Sequence, residues 1–186
     1  MNKADLPDFA SILSSSDNWQ DPTFLKGTKD AIYWDGVDRW NRSMYEANEK
    51  IEWRRVTEIR DAKMWGTSGQ LSNNDVNQGA IGNCYFLAAA AAIAEKPERL
   101  QKIFLNQSND LNEAGIYGVN LYALGVPITV VIDDYLPLMS DEIGSYTTMF
   151  AKISDDKAMW MPILEKAFAK FNGNYLHTEA GHPATA

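Results

Sequence analysis

Cysteine is nearly absent from this sequence: Cys84 is the only one in 186 residues. That excludes an internal disulfide framework and a cysteine-rich zinc site, and it fits a reducing compartment. Long apolar runs are missing as well. The longest, Tyr85 to Ala94, is too short to span a bilayer. The opening Met1-Asn2-Lys3-Ala4-Asp5-Leu6-Pro7 lacks the apolar core of a signal peptide. The expectation is an intracellular, cytoplasmic protein with no membrane span. Basic residues are the minority, 17 against 25 acidic, for a net charge of −8. That balance argues against nucleic acid or an anionic membrane surface as partner. Histidine is scarce, with only His177 and His182.

What is present suffices for a packed core. Hydrophobic residues make up 45% of the chain and six are tryptophan, so a disordered chain is not expected. Residues 1–36 are punctuated by Pro7, Pro22, Gly27 and Gly36 and read as irregular, with Phe9, Trp19, Phe24 and Trp34 available to pin them to a core. Val37, Trp40, Met44, Ala47 and Ile51 recur at three- and four-residue steps, which predicts a helix near 37–50 in an N-terminal extension, 1–50. Residues 66–77 read as a loop. The stretch from Cys84 to Glu95 is apolar on nearly every side and predicts a buried helix. Pro97 fits the first turn of a second helix, 97–105. Ile116–Leu124 and Val126–Asp133 alternate as two strands meeting at Gly125. Residues 134–156 read as loop. Met159, Trp160, Ile163, Leu164, Ala167, Phe168 and Phe171 share the face of a helix over 158–171 that Asn172-Gly173 stops.

The chemistry centres on Gln78-Gly79-Ala80-Ile81-Gly82-Asn83-Cys84. Cys84 stands where a polar, Gly-punctuated loop meets an Ala-rich run. At a helix start, free N–H groups and the dipole favour a thiolate. A cysteine nucleophile also needs a proton acceptor and donors for the developing oxyanion. The Cys84 N–H and the Gln78 amide can be those donors, because Gly79 and Gly82 let the loop fold back. A lone cysteine on an apolar helix is otherwise a small core hydrophobe.

The stretch from Gln78 to Ala89 resembles the active-site segment of the calpain family of papain-like cysteine proteases, Gln-Gly-Ala-Leu-Gly-Asp-Cys-Trp-Leu-Leu-Ala-Ala. Trp53-Arg54-Arg55-Val56-Thr57-Glu58 is similar to the family's Trp-Lys-Arg-Pro-Thr-Glu. Val130-Val131-Ile132-Asp133-Asp134-Tyr135-Leu136-Pro137 resembles Val-Val-Val-Asp-Asp-Arg-Leu-Pro, and Met159 to Tyr175 resembles a Phe-Trp…Leu-Glu-Lys-Ala-Tyr-Ala-Lys-Ile-Asn-Gly-x-Tyr segment. The four motifs come in the family's order. The resemblance implies an α+β, papain-like fold: the first subdomain of a calpain protease core over 51–186. It would be mainly helical, with a buried central helix carrying Cys84 at its N-terminus and a small antiparallel hairpin. It also implies that Cys84 is the nucleophile and Gln78 an oxyanion donor. Gly181 takes one contact to substrate backbone, although Ala180 stands where the family has a second glycine. Calcium is the family's usual activator, bound in this subdomain by backbone carbonyls, an Asp and a Glu. Asp75 lies at the Asp position and Ser68 and Gln70 near the carbonyls, but Ala158 replaces the Glu, which weakens a hard-cation site. Asn83 and Tyr85 replace the family's Asp and Trp.

The family's base is a histidine, oriented by an asparagine, in a second subdomain. In papain-type enzymes these lie roughly 130–150 positions beyond the cysteine, and His177 and His182 come sooner, outside any such motif. A fragment or a naturally short protein would look the same. The implied function is an intracellular endopeptidase acting on protein substrates, with nucleophile and oxyanion donors here and the His/Asn half elsewhere. The alternative is a calpain-like interaction or scaffold module that never cleaves.

Overall fold

The computed structural model describes residues 8–15, 18–27, 29–32, 51–140 and 146–182. The helix expected near 37–50 lies outside them. The helices are α1 (Phe9–Ser15), α2 (Lys29–Ile32), α3 (Cys84–Ala94), α4 (Pro97–Gln101) and α5 (Trp160–Asn172). The strands are β1 (Ile51–Arg55), β2 (Ile116–Ala123), β3 (Val126–Asp133), β4 (Tyr135–Ser140) and β5 (Tyr146–Thr148).

The fold is α+β, and strands of five, eight, eight, six and three residues stand beside helices of seven, four, eleven, five and thirteen. The hairpin β2–β3 closes where expected, with Ala123 opposite Val126. Leu124 (φ 50°) and Gly125 (φ 78°) are both left-handed, the backbone a two-residue turn needs to match strand twist. A second, three-stranded sheet in the order β1-β4-β5, all antiparallel, arises in part from the stretch read as loop. Pro137 hides it, because a proline within a short run argues against a strand. Pro137 lies opposite Trp53, and its carbonyl accepts the Met149 N–H at 2.9 Å.

Helix α5 is the central buried element: every residue from Trp160 to Lys170 is buried. Pro162 is tolerated because it lies in the first turn, where no intrahelical N–H is needed. Phe168 stacks on Phe86 of α3, centroids 3.9 Å apart. Helix α3, expected to be a buried helix, is buried only along Phe86, Leu87, Ala90 and Ala94. Cys84, Ala88, Ala92 and Ile93 are exposed. One stripe contacts the core, and small side chains leave the other side open.

Within residues 1–36, expected to be irregular, the described residues carry α1 and α2, and Phe24 is packed into the core as its aromatic character allowed. Phe24, Ala31 and Ile32 are buried with Ile81, Met149, Phe150, Ala169 and Tyr175. The Asp21 N–H donates to Asp133 Oδ2 at 2.8 Å, and Lys170 Nζ donates to Asp21 Oδ2 at 2.5 Å. Lys166, fully buried, donates to the Asp133 carboxylate and to the carbonyls of Asp133 (3.1 Å) and Tyr135 (2.6 Å). These pairs staple α5 to the end of β3.

Candidate active site

Cys84 is the first residue of α3 and is exposed. The helix start leaves the Cys84 and Tyr85 N–H groups without intrahelical acceptors. The first turn closes on the Asn83 carbonyl, which accepts from Phe86 N at 2.9 Å and Leu87 N at 3.2 Å. The Asn83 side chain does not cap the helix. It is fully buried and donates from Nδ2 to Glu165 Oε1 at 2.7 Å.

The Gln78 loop is closed by a bond from Gln78 Nε2 to the Ile81 carbonyl, 2.8 Å. That uses one amide hydrogen and leaves the second for another acceptor, in the loop that leads into the thiol-bearing helix. The loop is braced on its other side. Ala80 N donates to the Met149 carbonyl at 2.9 Å, and Lys152 N donates to the Asn77 carbonyl at 2.8 Å. Gly79 permits this approach, since a Cβ there would lie 1.6 Å from the Phe150 carbonyl oxygen.

The 179–181 segment packs against the end of this loop and the start of α3. Ala180 N donates to the Gly82 carbonyl at 3.0 Å, and a Cβ on Gly181 would come within 2.5 Å of the Tyr85 ring. Gly181 is thus brought beside the first turn of α3, and its lack of a side chain is needed for packing as well as for any substrate contact. Ala180 holds φ 56°, a conformation that favours glycine. Tyr85 packs edge-on to Phe168, centroids 6.4 Å apart. Burial raises its phenol's pKa above the ordinary value.

His177 is placed elsewhere. Its Nδ1 lies 2.7 Å from the Asn172 carbonyl oxygen at the end of α5, so the ring caps that helix. His182 follows Gly181 directly in the tail. Asp75 is buried, and its Oδ2 already accepts from Trp160 Nε1 at 2.9 Å and Ser72 N at 3.0 Å. Ala158 is also buried. Two residues before it, the Asp156 carboxylate accepts from Ser68 N (3.1 Å), Ser68 Oγ (2.6 Å) and Thr67 Oγ1. The Ser68 side-chain bond does most to hold its pKa below the usual carboxylate value. Among the described residues no group of three or more His, Cys, Asp or Glu gathers as a metal site.

Glu165 went unrecognised as a site residue from sequence. It is buried beneath the site, accepting from Asn83 Nδ2 at Oε1 and from Ala151 N at Oε2, 2.7 Å each. Burial pushes its pKa up to about 7, against the lowering pull of those bonds and of Lys152. The charged pair Glu165-Lys166 between Leu164 and Ala167, inside a largely apolar helix, was the available signal. Its partner Asn83 is 82 positions away, beyond any local pattern.

The chain is also similar to known proteins. A family model described as calpain family cysteine protease matches residues 19–186. The chain is 38% identical to the calpain-2 catalytic subunit of Bos taurus over 126 residues, 67% of this chain and 17% of that protein. It is 33% identical to calpain-12 of Homo sapiens over 174 residues, covering 93% of this chain and 23% of the relative. Against a calpain of Schistosoma mansoni the identity is 33% over 172 residues, covering 90% and 21%. The chain spans a quarter or less of the length of these relatives.

Proposed function

Because the chain belongs to the calpain family of cysteine proteases, we propose that it supplies the nucleophile and oxyanion half of a cytoplasmic endopeptidase cutting protein substrates. The observation that carries this is the exposed Cys84 at the first position of α3, flanked by the braced Gln78 loop and by residues 179–181. In this reading the Cys84 thiolate attacks a scissile carbonyl carbon. The Cys84 N–H and the second Gln78 amide hydrogen donate to the oxygen that gains charge. Substrate backbone lies along Gly181. In this reading a histidine on a second subdomain takes and returns the proton, and His177 is instead committed to the end of α5. The exposed stripe Cys84, Ala88, Ala92 and Ile93 faces away from the core and suits such a subdomain.

A thiol-directed epoxide is expected to label Cys84 at neutral pH, and Cys84→Ala to abolish the label. The 186-residue chain alone is expected to show no peptide turnover. No labelling would overturn the assignment of the nucleophile. A thiol-dependent burst of hydrolysis, absent in Cys84→Ala, would overturn the need for a second half.

The non-cleaving scaffold is the second reading, on the departures at Asn83, Tyr85, Ala158 and Ala180. Two of these are accommodated: Asn83 is paired with Glu165, and Tyr85 is packed on Phe168. Labelling no faster than that of the unfolded chain would favour the scaffold.

Calcium does not fit the residues present. Asp75 has one oxygen committed to Trp160 and Ser72, Ala158 brings no carboxylate, and Asp156 is occupied by Thr67 and Ser68. A calorimetric titration is expected to show no calcium binding below about millimolar, the weak end of carboxylate sites. Tighter binding that Asp75→Ala removes would reverse this.

A further inference from the structure

We propose that Glu165 is the positioning residue of the site, its buried carboxylate clamping the start of the Cys84 helix to the loop that braces Gln78. This rests on reading Cys84 as the nucleophile. One carboxylate oxygen holds Asn83 Nδ2 and the other the Ala151 N–H, 2.7 Å each. Asn83 is the residue immediately before Cys84, and its carbonyl closes the first turn of α3. Ala151 ends the segment 149–151, whose Met149 carbonyl holds Ala80 and whose Phe150 carbonyl lies against Gly79. The thiol-bearing helix and the oxyanion loop therefore meet at a single side chain. Glu165 is itself fixed, because it sits on α5 among buried residues.

The clamp is tuned by its surroundings. An ionised carboxylate accepts N–H bonds more strongly than a neutral one. The charged and titratable groups facing Glu165 are Lys152, which favours its ionised form, and Tyr175, buried and neutral well above its ordinary pKa. Glu165 is raised from 4.5 to about 7 by burial. Its stabilisation of the fold is thus complete below about pH 4.5 and falls as pH rises through about 7. Its two N–H bonds strengthen over the same interval. Stability and thiol positioning then move in opposite directions with pH, which a merely structural carboxylate does not do.

The experiment measures Cys84 alkylation by iodoacetamide on the full chain, from about pH 5.5 to about 8.5, either side of the raised carboxyl, for wild type, E165Q, N83D and N83D/E165Q, with melting temperatures in parallel. Each rate is taken below that protein's own transition. In E165Q the new NH2 must face Asn83 Nδ2 or the Ala151 N–H, donor against donor. The wild-type to E165Q rate ratio is expected to rise from near one in acid to roughly tenfold at the alkaline end, the effect of losing one charge-assisted bond. In N83D/E165Q the roles exchange: the introduced amide donates to the introduced carboxylate and accepts from the Ala151 N–H. Labelling should return to within about threefold of wild type, as expected when a pair is restored. A ratio of one at every pH overturns the proposal. If E165Q does not fold, N83D/E165Q is compared with N83D, where two carboxylates oppose each other. Equal rates there overturn it, and a faster double variant supports it. Cys84 unlabelled in every protein counts against the nucleophile itself, whereas equal labelling in all counts only against the clamp.

Discussion

Replacing Lys166 with alanine is expected to lower the stability of the fold by about 3–5 kcal/mol, the usual cost of removing one partner from a buried ion pair. Lys166 is fully buried, and burial pulls its pKa below the ordinary lysine value despite the Asp133 carboxylate beside it. Its ammonium has three hydrogens and three acceptors: the Asp133 carboxylate, the Asp133 carbonyl and the Tyr135 carbonyl. Truncation therefore strips a charge partner from Asp133 and bonds from two carbonyls at once. Asp133 also accepts the Asp21 N–H and, at Oδ1, the Tyr135 N–H, so the damage reaches the turn between β3 and β4. At roughly 2–4 °C per kcal/mol for a domain of this size, thermal unfolding should begin about 6–20 °C lower. A fall of less than about 3 °C on that scale would mean that Asp133 finds water or another partner, and that the staple contributes little.

That lysine also shows where sequence reading stops. The apolar face Met159, Trp160, Ile163, Leu164, Ala167, Phe168 and Phe171 predicted α5, and Gly173 ends it with φ 105°. Periodicity marks the greasy side of a helix but assumes that the other side is wet. Here Glu165, Lys166 and Lys170 are buried too, each satisfied by a partner distant in sequence. The same limit hid the β1-β4-β5 sheet: β1 and β4 pair Ile51 with Met139 and Arg55 with Tyr135, and no local pattern reports such a pairing. The hairpin β2–β3 was legible because its turn and both strands are contiguous. The start of α3 at Cys84 was legible for a similar reason, a sharp change from Gly-rich loop to apolar run. Its degree of burial was not, because alanines satisfy an open face as well as a packed one. At the candidate site, Cys84 and Gln78 were legible from the helix start and its Gly-punctuated loop, Gly181 only from motif resemblance, and the fold brings Gly181 against the Tyr85 ring next to the thiol. Glu165 belongs to the fold's third dimension.

Gly79→Ala is expected to slow Cys84 labelling by about tenfold or more and to destabilise the protein by about 1–3 kcal/mol, the range for forced overpacking. Its added methyl would fall 1.6 Å from the Phe150 carbonyl oxygen and 2.6 Å from that of Met149. Both are backbone atoms in the segment that Glu165 also holds through Ala151, so they cannot swing aside as a flexible side chain would. The Gln78 loop must move instead. That breaks the Ala80 N–H bond to Met149 and loosens the loop closed by Gln78 and Ile81. Gly82 is the internal control. From sequence the two glycines share one role, freedom for the loop to fold back, but their surroundings differ. A Cβ at Gly82 would meet only the Glu179 side chain, at 3.4 Å, an ordinary contact with a group that can turn away. Gly82→Ala should therefore stay within about 0.5 kcal/mol of wild type, as surface substitutions do, and label at close to the wild-type rate. Melting temperature and iodoacetamide labelling of the two variants side by side decide the matter. Equal behaviour of Gly79→Ala and Gly82→Ala would show that the loop needs backbone freedom at both positions rather than empty space at one. It would also mean that contact with the 149–151 segment does not set the position of Gln78.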